Sequence, residues 1–180
     1  MSYRSRRMNP PIWAPWRMEY ILGKKPDGCV LCAMAALDPS RPSELVKSHV
    51  LALLPDTLVC LNKYPIAAGH LLVAPRRHVS DVVDLADAEY ASLMRVLREA
   101  IARLRRAVRC EGLNVGFNLG PAAGASIADH VHGHVVPRWT GDTNFMPVLA
   151  SVRVMPQHLD ETFHHLAPHF ADLSKPPRPA

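Results

Sequence analysis

His130-Val131-His132-Gly133-His134-Val135-Val136-Pro137-Arg138-Trp139 is the stretch on which the fold and the chemistry both turn. In an extended strand, residues i, i+2 and i+4 share a face, with neighbours on that face roughly 7 Å apart. Read as a strand from His130 to Val136 ended by Pro137, the segment projects His130, His132 and His134 to one side, while Val131, Gly133 and Val135 turn to the other. Histidines alternating inside so apolar a run need partners or a function, because buried polar groups are hydrogen-bonded. A neutral imidazole is a nucleophile near neutral pH, since its ordinary pKa is about 6.5. Its neighbours in the row can hold its tautomer, bind an anionic oxygen or donate a proton to a leaving group. Attack on a phosphate ester or anhydride gives a phospho-imidazole, which splits one hard displacement into two easier ones. Phosphorus is preferred to a carbonyl because no Ser or Cys nucleophile signature surrounds the row.

Working outward, Thr57–Leu61 and Leu71–Ala74 are short apolar runs joined by the turn-prone segment Asn62–Gly69, a hairpin signal. Tyr90, Leu93, Met94, Leu97, Ile101, Leu104 and Val108 recur at helical spacing, with Asp87 as expected N-cap. Leu113, Val115, Phe117 and Leu119 alternate with Asn114, Gly116 and Asn118, as in a strand with one buried face. Leu159, Phe163, Leu166 and Phe170 mark a second amphipathic helix, and residues 37–48, with two prolines, read as a loop. The expected fold is therefore α+β, an antiparallel sheet with a long amphipathic helix packed on it and a C-terminal helix. Residues 1–28 read as an arm docking through Trp13 and Trp16, residues 29–173 as a single domain, and residues 174–180 as a disordered tail.

The 180 residues are 48% hydrophobic, enough for a core without disulfides. No uncharged apolar run approaches the roughly 20 residues of a membrane span, and prolines interrupt the arginine-rich start, so a cytoplasmic location is expected. In a reducing compartment Cys29-Val-Leu-Cys32 suits a metal or redox site, with histidine the expected type for further ligands; His78 lies just past a strand end. Cys60 and Cys110 read as buried thiols. The net charge of +5 favours anionic partners. Arg95, Arg98, Arg103, Arg105, Arg106 and Arg109 on the long helix read as a solvated face, so no nucleic-acid partner is expected. His158, His165 and His169 read as surface histidines.

The row resembles the His-φ-His-φ-His-φ-φ signature of the histidine triad (HIT) superfamily, where φ is apolar, with Gly133 departing at one φ position. The resemblance runs from about Cys29 to Trp139. It takes in Leu61-Asn62-Lys63-Tyr64-Pro65 with Gly69-His70-Leu71-Leu72-Val73-Ala74-Pro75, similar to the nucleotide-binding hairpin of the Fhit branch, together with Gly112–Asn118 and Gly124-Ala125-Ser126. It implies His132 as the nucleotidylated nucleophile, His134 as a contact to the α-phosphate, His130 as support and His70 as the residue completing the constellation. Asn62 then sits where ribose hydroxyls are bound, and Asn118 and Ser126 where phosphates are faced. Zinc-bearing relatives imply a structural zinc on Cys29, Cys32, His78 and His130. Ala125 stands where many HIT hydrolases have glutamine, and with the trailing Pro-Arg-Trp-Thr-Gly-Asp-Thr-Asn-Phe this is more similar to bacterial diadenosine-tetraphosphate phosphorylases. The resemblance thus implies an enzyme acting on dinucleoside polyphosphates or adenylyl conjugates by hydrolysis or phosphorolysis, and a homodimer. A non-catalytic nucleotide-binding protein on the same fold is the alternative.

Overall fold

The computed structural model describes residues 28–125, 127–142 and 158–174; the expected arm, most of the expected tail and Ser126 lie outside them. A short helix α1 (Val30–Ala35) and a second, α2 (Pro42–Lys47), lead into β1 (Val50–Leu53), β2 (Thr57–Leu61) and β3 (Leu71–Pro75). The long helix α3 (Asp87–Val108), β4 (Gly112–Phe117), β5 (Gly133–Arg138) and α4 (Leu159–Phe170) follow. The five strands pair antiparallel in the order β1-β2-β3-β5-β4. The α+β expectation holds.

Alternation along the strands sorts the core into two layers. Val59, Leu61, Leu71, Val73 and Val135 face α3 and α4, meeting Leu93, Val96, Ala100, Leu104, Phe163 and Leu166. Leu58, Cys60, Leu72 and Ala74 face the opposite way, toward Leu31 and Ala35 of α1. β2 and β3 are therefore buried on both sides.

Several local expectations change. Residues 37–48 are not all loop, because Pro42 occupies the first turn of α2, where its missing N–H costs nothing. Ala86, not Asp87, is the N-cap of α3; Asp87 opens the helix, and the Glu89 carboxylate accepts from Ala86 N at 2.9 Å. β4 buries its apolar face only in part: among the described residues it is an edge strand, with Leu113 and Phe117 packed partly buried against the core and Val115 43% exposed. Cys110 is only partly buried. Cys60 is buried as expected, and its thiol is pushed up to about 12 by desolvation.

The histidine row is only partly strand. β5 begins at Gly133 rather than His130, and it runs through Pro137 to Arg138. Its ladder with β3 covers Leu71↔Val135, Leu72↔His134 and Val73↔Gly133. Continuing the register would set Val131 against Pro75, which has no N–H to give, and Val131 N instead donates to Val79 O at 2.7 Å. Beyond Val135 only β4 flanks β5, so Pro137 is tolerated there.

The glycine that departs from the apolar pattern has a steric cause. A Cβ on Gly133 would lie 3.1 and 3.2 Å from the Phe117 ring and 3.6 Å from Leu97. Gly133→Val should cost about 1–3 kcal/mol through overpacking, read as a lower urea midpoint at unchanged m. Shrinking the ring, with Phe117→Leu in the same chain, should recover part of the loss.

Candidate active site and metal cluster

His134 lies in β5 beside Leu72 and Gly116, on the face away from α3. Its Nδ1 is 3.0 Å from Nε2 of His70, which leads into β3 from the hairpin turn. The polarity of this contact is determined by backbone donors. Ile66 N donates to His70 Nδ1 at 3.1 Å, so Nδ1 is the unprotonated nitrogen. The Asn62 Oδ1 accepts from Tyr64 N at 2.9 Å, which turns its Nδ2 toward the same His70 nitrogen at 3.3 Å. The His70 proton is thus on Nε2 and is donated to His134 Nδ1, leaving His134 with its proton on Nε2. Desolvation, then the neighbouring His132, depresses the His134 pKa to about 4, so this ring stays a neutral donor at neutral pH. Asn118 Nδ2 is 3.5 Å from that Nε2. Both groups are N–H donors standing side by side, so one ligand oxygen lying off the line between them would accept from both.

His132 is 3% exposed and packs edge-on to His134, ring centroids 4.9 Å apart. Its Nδ1 donates to the carbonyl of His130 at 2.8 Å. That bond places the proton on Nδ1 and leaves the lone pair on Nε2, for which no hydrogen bond is seen among the described residues. A buried imidazole with a lone pair on Nε2 beside an N–H donor can attack an electrophile while the donor steadies the charge that develops.

His130 does not join this pair. It is fully buried, and its Nε2–H donates to Pro75 O at 2.8 Å, which aims Nδ1 elsewhere. Nδ1 lies 3.3 Å from Cys29 Sγ and 3.4 Å from Cys32 Sγ, while His78 Nδ1 is 3.2 Å from Cys32 Sγ. The four ligand atoms lie within 4.8 Å of one another. A tetrahedral ion with bonds near 2.3 Å to sulfur and 2.0 Å to nitrogen needs S···N edges of about 3.5 Å, so the donor set fits a metal ion. The carbonyl behind His130 is the outer partner such ligands have. Burial, then the adjacent Cys29, raises the Cys32 pKa. Arg76 braces the cluster by donating to Ala35 O at 2.6 Å and Leu54 O at 3.2 Å, tying the end of α1 to the β1–β2 turn.

The structure brings together His70, His132, His134 and Asn118 in one group, and Cys29, Cys32, His78 and His130 in another. Asn62 is engaged by the hairpin and His70, and Ser126 lies outside the described residues. The row is therefore divided between two tasks, which strand alternation alone does not reveal. Sequence reasoning also misses the bracing role of Arg76, whose place between Pro75 and the ligand His78 is the available signal. His165, read as a surface residue, places its Nε2 3.1 Å from Ala107 O at the end of α3.

Comparison with known proteins agrees with this geometry. A protein named AP-4-A phosphorylase from Mycobacterium tuberculosis is 38% identical over 170 residues, covering 89% of this chain and 84% of that one. Protein hit from Bacillus subtilis is 32% identical over 117 residues, 63% of this chain and 72% of its own. A solved zinc-bound histidine triad family protein from Mycobacterium smegmatis superposes with a TM-score of 0.62 at 28% identity, covering 81% of this chain and 95% of that chain. The HIT domain signature matches residues 44–141, from α2 through the whole histidine row to the turn after β5. With the signature over more than half of its length and that sequence identity across most of it, this chain belongs to the HIT domain family.

Proposed function

We propose that this protein is a nucleotide-processing enzyme that cleaves dinucleoside polyphosphates, of the diadenosine-tetraphosphate kind, or adenylyl conjugates at the α-phosphate. The observation that carries this reading is the hydrogen bond from His132 Nδ1 to the His130 carbonyl, which leaves Nε2 as a nucleophile. Nε2 forms a bond to the α-phosphorus as the bond to the leaving polyphosphate oxygen breaks, giving a nucleotidyl-histidine. The His134 Nε2–H binds an α-phosphate oxygen, and Asn118, whose Nδ2 lies 3.5 Å from that Nε2, is placed beside it to donate to the same oxygen. His70 acts behind His134 by holding its tautomer. Asn62 and Ser126 are assigned to the ribose hydroxyls and the phosphates. Water or inorganic phosphate then takes the nucleotide from His132.

The phosphorylase name of the 38% identical relative and Ala125 both favour phosphate as acceptor. Turnover of diadenosine tetraphosphate with and without inorganic phosphate tests this. ADP together with ATP, formed only when phosphate is present, is the expected product pair. AMP with ATP, formed regardless of phosphate, overturns phosphorolysis, and no turnover of any such substrate overturns the enzyme.

The cluster of Cys29, Cys32, His78 and His130 is assigned to a structural zinc ion. Four protein ligands close a tetrahedral site, so the ion contributes rigidity and leaves no position for a reacting water. Its effect on chemistry passes through His130, whose side chain it holds and whose carbonyl holds His132.

The edge strand and the long helix support a homodimer. Among the described residues β4 has one unpaired side; Val115 of β4 is 43% exposed and Tyr90 of α3 is 48% exposed. Pairing through this edge buries both. Val115→Asp should convert the dimer to monomer in sedimentation; an unchanged mass would place the interface elsewhere. Among the described residues no helix is long and apolar enough to cross a membrane.

A further inference from the structure

The arginines of α3 are not spread around the helix. At about 100° per residue, Arg95, Arg98, Arg105, Arg106 and Arg109 fall within an arc of roughly 100°. All five are exposed. Arg103 lies off this arc and is spent on structure: it donates to His169 O at 2.7 Å, pairs with Asp172 and has Glu99 at 3.8 Å. None of the five has a carboxylate partner among the described residues, and the one side-chain hydrogen bond among them is Arg95 to Ser92 at 3.2 Å. A face that merely keeps a helix soluble interleaves both signs, as i, i+4 pairs do. This ridge carries one sign along about 21 Å, from Arg95 to Arg109 at 1.5 Å per residue.

The ridge ends at a cleft. Arg109 caps α3 in the left-handed region, at φ 48, which is uncommon for a residue with a side chain. It lines a groove of about 430 Å³ with Trp139, His165, Gly69, Val108 and Thr162. The groove walls are mostly apolar, and half-buried Trp139 supplies an aromatic ring among them. That volume is in the range that holds a small planar ligand. The groove opens on the opposite side of the sheet from the candidate chemistry. Gly69 turns toward Leu104 and Pro137, on the α3 side of the sheet, while the neighbouring His70 points through the sheet to His134.

We propose that this ridge and cleft form a second binding surface, for single-stranded nucleic acid. The phosphates run along Arg95, Arg98, Arg105 and Arg106, and one unpaired base enters the groove beside Arg109 and stacks on Trp139. Cation ladders that follow a backbone, joined to an aromatic platform for a base, are what single-strand recognition requires. A duplex, whose bases are stacked inside, uses the ridge alone.

Fluorescence anisotropy of the full chain with a labelled uridine 12-mer tests the surface, with saturating AMP present to occupy the histidine site. Exchanging three ridge residues together, Arg98→Glu, Arg105→Glu and Arg109→Glu, should weaken binding at least tenfold. It should also lower the slope of log K against log salt by about 2, near 0.7 for each phosphate that is no longer neutralised. Trp139→Ala should weaken the 12-mer about fivefold or more, with Trp139→Phe restoring most of the loss, and should leave inorganic polyphosphate binding unchanged. Nucleotide turnover should be unaffected in every variant. Displacement of the 12-mer by AMP, or equal binding by the triple variant, overturns the proposal. So does polyphosphate binding as tightly as the 12-mer with Trp139→Ala silent, since the ridge is then a plain anion surface and the groove holds something else, such as a segment of this chain.

Discussion

His132→Asn should abolish turnover of diadenosine tetraphosphate, by about a thousandfold or more, while the protein remains folded. The asparagine amide can still donate to the His130 carbonyl, so the local hydrogen bond that His132 makes at 2.8 Å survives the change. What disappears is the Nε2 lone pair, and no other group in the proposed scheme can form the covalent intermediate. Loss of a nucleophile typically removes most of an enzyme's rate enhancement, leaving only what binding and charge stabilisation supply. Intact-mass analysis of acid-quenched protein should show one added nucleotidyl group on the wild type and none on the variant. Thermal unfolding checks the fold, and an unchanged midpoint is expected. Wild-type turnover in the folded variant would sink the assignment of His132. Binding of AMP without any adduct on the wild type would leave a nucleotide-binding protein rather than an enzyme.

Disrupting the Cys2His2 cluster should be the second large effect, and it should appear first in stability. Metal bound only by the folded chain stabilises it by mass action, and structural zinc sites bind with roughly 10–16 kcal/mol in small domains. This chain has a two-layer core of its own, so it should not unfold outright when the ion is removed. A loss of about 4 kcal/mol is expected, which for a domain of this size lowers Tm by about 10 °C. Elemental analysis of the purified protein should give one zinc per chain. Cys32→Ser should reduce that occupancy sharply, because Cys32 Sγ stands within 3.4 Å of both histidine ligands. Arg76→Ala should lower zinc occupancy less than Cys32→Ser does, because Arg76 holds the backbone at Ala35 and Leu54 and touches no ligand. Adduct formation on His132 should slow along with zinc loss, because His130 serves both groups. A fully folded Cys32→Ser protein with unchanged zinc content and Tm would overturn the site.

Much of this is legible along the chain because it is local. The α3 stripe, the hairpin around Asn62–Gly69 and the α4 stripe follow from spacing, since periodicity reports which face a regular element buries. Three of the boundaries that spacing misplaces involve a proline. Pro42 starts a helix within an expected loop, Pro75 stops a ladder by lacking a donor, and Pro137 sits inside a strand that loses its neighbour on one side. In each case the outcome depends on whether that N–H would have met a partner, which is a property of the neighbouring segment. β4 misleads for a related reason. Its alternation is genuine, but a strand's burial depends on its place in the sheet, and β4 lies at the edge.

The amino-acid sequence by itself determined the long amphipathic helix, the hairpin, the candidate reactive side chains and the HIT resemblance, because residue chemistry and spacing are carried in short stretches. Only the tertiary structure decided which partner each histidine meets. The ring of His130 is drawn toward two cysteines about a hundred residues away, while its carbonyl stays with His132. His134 receives its tautomer from His70 on the neighbouring strand, and His70 receives its own from the amide of Ile66. A proton's position on an imidazole is set by what the other nitrogen meets in space, and that meeting exists only once the sheet has formed.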